Sequence, residues 1–87
     1  MFSAVTSLSV EKQPELTALG ARIRDLRKAA KMTQEELASR ATLSANYIGE
    51  TERGERNPGA LALYAIARGL GCRVANLFAH ESDAASG

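Results

Sequence analysis

Two hydroxyl residues that each precede a short amphipathic segment constrain this fold more than any other feature of the sequence. Thr33 is followed three residues later by Glu36, which is the spacing of a capping box at a helix start. Ser44 offers a similar cap to a second segment. Because apolar residues recur at helical spacing after each cap, the sequence predicts two short helices, 34–41 and 45–52, joined by a tight turn.

Further helical segments flank this pair. Pro14 suits a first helical position, and the apolar residues after it recur every three or four positions, which predicts a helix over about 14–30. Two more segments with a helical pattern, about 59–70 and 73–79, follow a polar loop. Since no stretch alternates with the period of a strand, we expect an all-α fold of five helices.

Length and composition fit one small globular domain. The chain has 87 residues, of which 45% are hydrophobic and 24% charged. We expect an N-terminal arm at 1–13, the helical domain at 14–79 and a polar tail at 80–87. One cysteine, Cys72, and one histidine, His80, exclude an internal disulfide and a His/Cys zinc cluster. We expect no metal, no cofactor, no membrane span and a cytoplasmic location.

Charge and motif content say little about nucleic acid and argue against an enzyme. The net charge is +1, although basic residues are dense between Arg22 and Lys31, where they form either a phosphate-binding stripe or a solvated helix face. The GxG at 69–71 has no strand before it, so it does not indicate a phosphate loop. A single histidine near the C-terminus leaves no plausible nucleophile–histidine pair.

The paired short helices, packed on a longer first helix, are typical of a helix-turn-helix, in which the second helix lies in the major groove. The stretch TQEELASRATLSANYIGETERGERNP resembles the Cro/phage-repressor-type (XRE-like) helix-turn-helix family. Its matching positions are Thr33, Gln34, Leu37, Ala38, Ile48, Glu52, Gly54 and Pro58. With LGARIRDLR before it and YAIARGLGCRVANLF after it, the resemblance covers about residues 16–78. It implies a compact, lambda-repressor-like DNA-binding domain.

Within that family, YIGETERGERNP is most similar to the controller proteins of restriction–modification systems. One departure lies in the turn, where Thr42 stands at a position that is often Gly in the family. Because Thr tolerates positive φ poorly, we expect this turn to adopt another geometry.

The resemblance implies specific DNA contacts for helices two and three. Thr33 and Gln34 would bind a phosphate at the N-terminus of helix two, where free N–H groups and the helix dipole favour an anion. On helix three, Asn46 would pair with adenine, Ala45 would offer a methyl contact, and Glu50 would either accept from cytosine or stay a solvated helix residue.

Other residues of this region have two open roles each. Tyr47 either reaches the DNA or packs its ring at the helix base. Arg53 and Arg56 bind phosphate or a base edge, and Asn57 does likewise or caps helix four. The expected DNA-binding set is Thr33, Gln34, Ser44, Ala45, Asn46, Tyr47, Glu50, Arg53, Arg56 and Asn57.

The resemblance also implies that Arg27 and Glu52 form a partly buried ion pair that ties helix three to helix one. Removing one partner of such a pair is costly because it strands the other charge. We therefore expect a structural role for both residues.

Helix four is apolar on nearly all sides and so needs a second cover besides the core. That cover is either a second subunit or the N-terminal arm, with Phe2, Val5 and Leu8. The face that needs this cover carries Leu61 and Tyr64. Because relatives commonly dimerise through their last helices, the expected dimer interface also includes Val74, Leu77 and Phe78. The last three fit the core equally well.

The leading hypothesis is a sequence-specific DNA-binding transcriptional regulator that binds a pseudo-palindromic operator as a homodimer. A restriction–modification controller acting on its own promoter is one subtype. The alternatives are the antitoxin of a toxin–antitoxin operon and a protein-interaction module that keeps the fold without reading DNA. Expected partners are double-stranded DNA, a second subunit and a protein such as a toxin or RNA polymerase.

Overall fold

The computed structural model describes residues 13–78 and folds them into four α-helices followed by one 3₁₀ helix. No strand occurs within that range. The helices are α1 (Pro14–Ala29), α2 (Gln34–Ala41), α3 (Ala45–Glu52), α4 (Ala60–Leu70) and the 3₁₀ helix (Val74–Phe78). The all-α prediction is confirmed, and the predicted bounds of the α-helices agree to within one residue. All but the last residue of the predicted arm at 1–13, and the whole predicted tail at 80–87 with His80, lie outside the described residues.

The prediction of five α-helices is wrong in its last element, which is a 3₁₀ helix of five residues. The backbone N–H of Asn76 donates to the carbonyl of Arg73, three positions earlier, at 2.9 Å. The Asn76 side chain accepts from the N–H of Arg73 at 3.0 Å and so caps the same turn. A segment this short gains few i→i−4 bonds, and the 3₁₀ form is common in such pieces.

Both predicted hydroxyl caps are present. The Thr33 side chain accepts from the N–H of Glu36 at 3.0 Å, and the Glu36 carboxylate accepts from the N–H of Thr33 at 2.7 Å, which completes the capping box of α2. At α3, the Ser44 hydroxyl accepts from the N–H of Tyr47 at 3.0 Å. These caps satisfy backbone donors that the first turn of each helix would leave unpaired.

The turn between α2 and α3 corrects a second expectation. Thr42 adopts the left-handed conformation, with φ of 57°, that Gly would adopt more easily. The N–H of Leu43 donates to the carbonyl of Ala38 at 2.9 Å, and the N–H of Thr42 donates to that of Ser39 at 3.3 Å. These two bonds make a Schellman motif, so the turn keeps the regular geometry despite the β-branched residue.

The core lies where α2, α3 and α4 meet α1 and the 3₁₀ helix. Its largest fully buried apolar side chains are Ile23, Leu37, Ile48, Ile66 and Leu77. Each helix contributes one of them, and the 3₁₀ helix contributes the last. Leu77, expected at a dimer interface or in the core, therefore belongs to the core.

Gly20 allows α1 and α3 to approach closely. A Cβ at this position would lie 2.2 Å from the carbonyl oxygen of Thr51 and 2.5 Å from that of Glu52. Only glycine fits such a backbone contact, and the result is that the end of α3 is fixed against α1.

Candidate nucleic-acid interface

One side of α3 is buried in the protein interior. Ile48 is fully buried and Thr51 is 1% exposed. The Thr51 hydroxyl donates to the carbonyl of Tyr47 at 2.8 Å, so this buried polar group is satisfied within the helix. We call this side, with Ile48, Gly49, Thr51 and Glu52, the inner face of α3.

The inner face ends in a buried ion pair. Arg27 of α1 donates to both carboxylate oxygens of Glu52, from Nε to Oε2 at 2.6 Å and from Nη2 to Oε1 at 3.0 Å. Arg27 Nη1 donates to the carbonyl of Met32 at 2.8 Å, and Gln34 Nε2 donates to Glu52 Oε1 at 3.0 Å. Donating these hydrogen bonds to Glu52 raises the pKa of the Arg27 guanidinium above its ordinary value. This network ties α1, α2 and α3 together.

The opposite side of α3, the outer face, carries a second polar cluster made of Asn46, Tyr47, Glu50 and the following Arg56. Arg56 donates to Glu50 Oε1 from Nε at 3.0 Å and from Nη2 at 2.7 Å. Asn46 Nδ2 donates to Glu50 Oε2 at 3.3 Å. The Arg56 guanidinium also lies 4.5 Å from the centre of the Tyr47 ring, within the range of a cation–π contact. Glu50 is thus the centre of the outer-face cluster.

The turn after α3 brings Arg56 back to this face. Gly54 has φ of 75°, and the N–H groups of Gly54 and Glu55 donate to the carbonyls of Thr51 at 3.0 Å and of Glu50 at 2.9 Å. This is another Schellman motif. A Cβ at Gly54 would also lie 3.0 Å from the Thr17 Cα, so both backbone conformation and space favour glycine here.

Arg53 lies on the surface beside the cluster in a pair that sequence reasoning missed. Its Nε donates to Glu55 Oε2 at 3.0 Å, and both side chains are more than half exposed. Hydrogen bonding to Arg53 lowers the pKa of the Glu55 carboxyl. Opposite charges two positions apart after a helix end do not by themselves predict a hydrogen-bonded ion pair.

The two predicted phosphate-binding residues at the start of α2 both make hydrogen bonds within the protein. Thr33 is exposed, but its hydroxyl is used in the capping box. Gln34 is half-buried and its amide nitrogen donates to Glu52, so its orientation depends on the inner-face network. At the start of α3, Ser44 is exposed and Ala45 is half-buried against the core.

One of the alternatives offered by the sequence is resolved by position. Asn57 is exposed and does not cap α4, because Gly59 occupies the N-cap position and α4 has no side-chain cap. Two of the basic residues of α1 are hydrogen-bonded within the fold. Arg27 is in the ion pair, and half-buried Arg22 donates from Nε to the carbonyl of Asn76 at 2.9 Å, which holds the 3₁₀ helix on α1.

Three large apolar side chains that belong to neither cluster are exposed. Leu61 is 84% exposed, Tyr64 60% and Phe78 42%, whereas Val74 is half-buried against the core. Of the exposed three, Tyr64 lines an open groove of about 460 Å³, together with Ala67, Arg68, Cys72, Arg73, Val74 and Ala75. Burial raises the pKa of the Cys72 thiol, which disfavours the reactive thiolate. Within residues 13–78, no helix is long and apolar enough to cross a bilayer.

Comparison with known proteins agrees with this geometry. The sequence profile of the helix-turn-helix family matches residues 23–77. The immunity repressor of Bacillus phage phi105 is 39% identical over 64 residues, which cover 74% of this chain and 44% of the repressor, so the chain matches under half of that relative's length.

Solved structures give the same result. The restriction–modification controller protein C.AhdI from Aeromonas hydrophila superposes with a TM-score of 0.75 at 35% identity, over 76% of this chain and all of C.AhdI. The clp gene regulator ClgR from C. glutamicum superposes with a TM-score of 0.71 at 31% identity, over 78% of this chain and 88% of ClgR.

Proposed function

The chain belongs to the helix-turn-helix family of DNA-binding transcriptional regulators, and we propose that it is sequence-specific, with α3 as the helix that enters the major groove. The observation that carries this proposal is the contrast between the two faces of α3. The inner face is buried, while the outer face presents amide, aromatic and guanidinium groups to solvent. These are the groups that read base edges and phosphates.

We assign the contacts in two classes. Asn46 is placed to pair with adenine and Ala45 to offer a methyl to thymine, so both contribute to sequence preference. Thr33 and Gln34 at the start of α2, with Ser44 at the start of α3, lie at helix N-termini that favour phosphate.

Arg53, Arg56 and Asn57 complete the proposed surface beyond the C-terminus of α3. All three are exposed. A guanidinium group offers the paired donors that phosphate and base edges accept. With a net charge of only +1 for the chain, affinity depends on this local placement of cations rather than on overall charge.

We further propose a homodimer that binds a pseudo-palindromic operator. The exposed Leu61, Tyr64 and Phe78 support it, because a second subunit would remove these large apolar side chains from water, and Tyr64 also lines an open groove. Two-fold pairing would set the two copies of α3 about 34 Å apart on one side of the duplex. Val74, half-buried, would lie at the edge of that contact.

The likeness to a restriction–modification controller supports one subtype, a regulator that acts on its own promoter. The first test is fluorescence anisotropy with DNA from upstream of the chain's own gene and with scrambled DNA, each at two salt concentrations. Preferential, salt-sensitive binding of two subunits per site is the expected result. Equal weak binding to both duplexes would contradict action on this promoter.

The exposed Leu61, Tyr64 and Phe78 also favour a second candidate, a protein-interaction module. Leu61→Asp separates the two, since a charge at a residue 84% exposed leaves the core intact. For a DNA-binding dimer, the substitution gives a monomer by light scattering and weakens operator binding. A wild-type chain that is monomeric, binds no duplex and forms a tight complex with another protein would favour the module.

A further inference from the structure

The outer-face cluster has an organisation that the contact assignments above do not explain, because its centre is an acidic residue. Glu50 accepts from Arg56 twice through Oε1, at 3.0 and 2.7 Å, and from Asn46 through Oε2, at 3.3 Å. A carboxylate on a DNA-facing helix repels phosphates unless its charge is balanced. Here the balancing cation is supplied by the chain itself.

Within the pair, the Arg56 side chain is more exposed to solvent than the Glu50 side chain. The Arg56 side chain is 44% exposed and that of Glu50 is 28% exposed. The guanidinium is therefore the outer member of the pair. It is held at one edge by Glu50 and over one surface by the Tyr47 ring.

This arrangement leaves part of the guanidinium for a ligand. Nε and one hydrogen of Nη2 are directed to Glu50, and Nη1 has no hydrogen bond to any residue within 13–78. The edge formed by Nη1 and the second hydrogen of Nη2 has the paired-donor geometry that fits two acceptor atoms, as on a guanine edge or a phosphate. Holding an arginine in place before binding reduces the side-chain entropy lost when it binds.

We propose that Glu50 is a positioning residue that acts through Arg56 and Asn46, rather than a group that accepts a hydrogen bond from cytosine. It presents the free edge of Arg56 to paired acceptors on DNA and holds the Asn46 amide beside it. This inference rests on the proposed function, because it assigns a role within the same DNA-binding surface.

The test is a double-mutant cycle on DNA affinity. A duplex selected by the wild-type protein from a library with a random centre serves as the operator, and a scrambled duplex serves as its control. Affinities are measured for the wild type, Glu50→Ala, Arg56→Ala and the double variant. Glu50→Ala should weaken operator binding about tenfold, the scale of one lost bidentate contact. In the Arg56→Ala background the same change should cost at most about twofold, because only the long 3.3 Å contact with Asn46 is then lost and removal of the unbalanced carboxylate relieves its repulsion of phosphate.

Two further variants separate positioning from simple loss of charge or of fold. Glu50→Gln keeps an oxygen that accepts from Arg56 and should recover most of the affinity. Glu55→Ala removes a nearby exposed carboxylate that pairs with Arg53, and it should leave affinity unchanged or raise it. Thermal unfolding of each variant, followed by circular dichroism, checks that the helices remain.

The outcomes distinguish the inference from its premise. A wild-type protein that selects no preferred duplex overturns the proposed function, and the inference with it. Clear selection, but equal losses from Glu50→Ala with and without Arg56, overturns the inference alone and returns Glu50 to direct base contact. If the coupling appears on the operator only, Arg56 binds a base edge, and if it appears equally on scrambled DNA, Arg56 binds phosphate.

Discussion

The two faces of α3 hold their charges in opposite ways. On the inner face, the side chains of Arg27 and Glu52 are 10% and 3% exposed and share two hydrogen bonds. On the outer face, the side chains of Arg56 and Glu50 are 44% and 28% exposed. The inner pair has no access to a ligand and fixes the helix. The outer pair faces solvent, so its donors are available to DNA.

This difference in burial determines what each pair does for stability. A buried pair adds little compared with a well-packed apolar pair, but losing one partner is expensive because the other charge stays in a poorly solvated site. An exposed pair contributes about 0–1 kcal/mol, since water and salt screen it. We therefore expect substitutions on the inner face to change folding, and those on the outer face to change binding.

The largest expected change in the free energy of unfolding comes from a substitution in the inner-face ion pair. Arg27→Met strands the Glu52 carboxylate with only the Gln34 amide as its remaining side-chain donor, and it should lower the free energy of unfolding by about 3 kcal/mol. Urea denaturation followed by circular dichroism measures this change.

The matched double variant Arg27→Met/Glu52→Met should recover most of the lost stability, because it replaces both charges by apolar side chains. A single variant as stable as the wild type would show that water solvates this pair, and would break the contrast between the two faces.

The next largest change in stability is expected at the turn that follows α3. Gly54→Ala forces a Cβ into a residue with φ of 75° and to within 3.0 Å of Thr17, and it should cost about 1–2 kcal/mol. Gly59→Ala is the matched control, because φ there is −75° and a Cβ would meet nothing within 4 Å. Thermal unfolding should separate the two variants clearly. Equal midpoints would mean that the turn after α3 tolerates a side chain.

Local signals in the sequence were enough for most of the fold. Thr33 and Ser44 define helix starts through bonds to residues three positions away, so the caps of α2 and α3 can be read from spacing alone. The distinction between an α-helix and a 3₁₀ helix at Val74–Phe78 depends on packing against α1 and on the Asn76 cap, which periodicity does not report.

The members of the outer-face cluster could be named from the sequence as part of a DNA-binding set, which stays a prediction, but the bonds between them could not. Asn46, Glu50 and Arg56 were expected at the DNA surface, yet their mutual bonds depend on a chain reversal at Gly54 that no periodicity describes. Likewise, Gly20 gave no signal in its own helix, because the backbone it contacts belongs to the end of α3. Contacts between segments distant in sequence need the structure.

A smaller change in stability, this time a gain, is expected at the turn between α2 and α3. Thr42 is exposed and holds φ of 57°, which costs a residue with a Cβ about 1–2 kcal/mol, whereas Gly loses more chain entropy on folding by about 0.5–1 kcal/mol. Thr42→Gly should therefore stabilise the fold by roughly 0.5–1 kcal/mol in urea denaturation. A decrease in stability would mean that the Thr42 side chain makes compensating contacts. DNA affinity should not change, because the Schellman bonds already fix this turn.

The smallest effect on stability, and the sharpest contrast with Arg27, is expected from Arg53→Ala. Both members of the Arg53–Glu55 pair are more than half exposed, so the unfolding midpoint should not move measurably. Since Arg53 lowers the pKa of Glu55, any contribution of the pair to stability is present at neutral pH and fades as the pH falls through that pKa.

On DNA, Arg53→Ala removes a phosphate-binding cation, so it should weaken binding to operator and scrambled duplex alike and reduce the salt slope by about 1. An unchanged slope, with weakened binding to the operator only, would instead assign Arg53 to a base edge. Its role would then resemble the one that Glu50 is proposed to give Arg56.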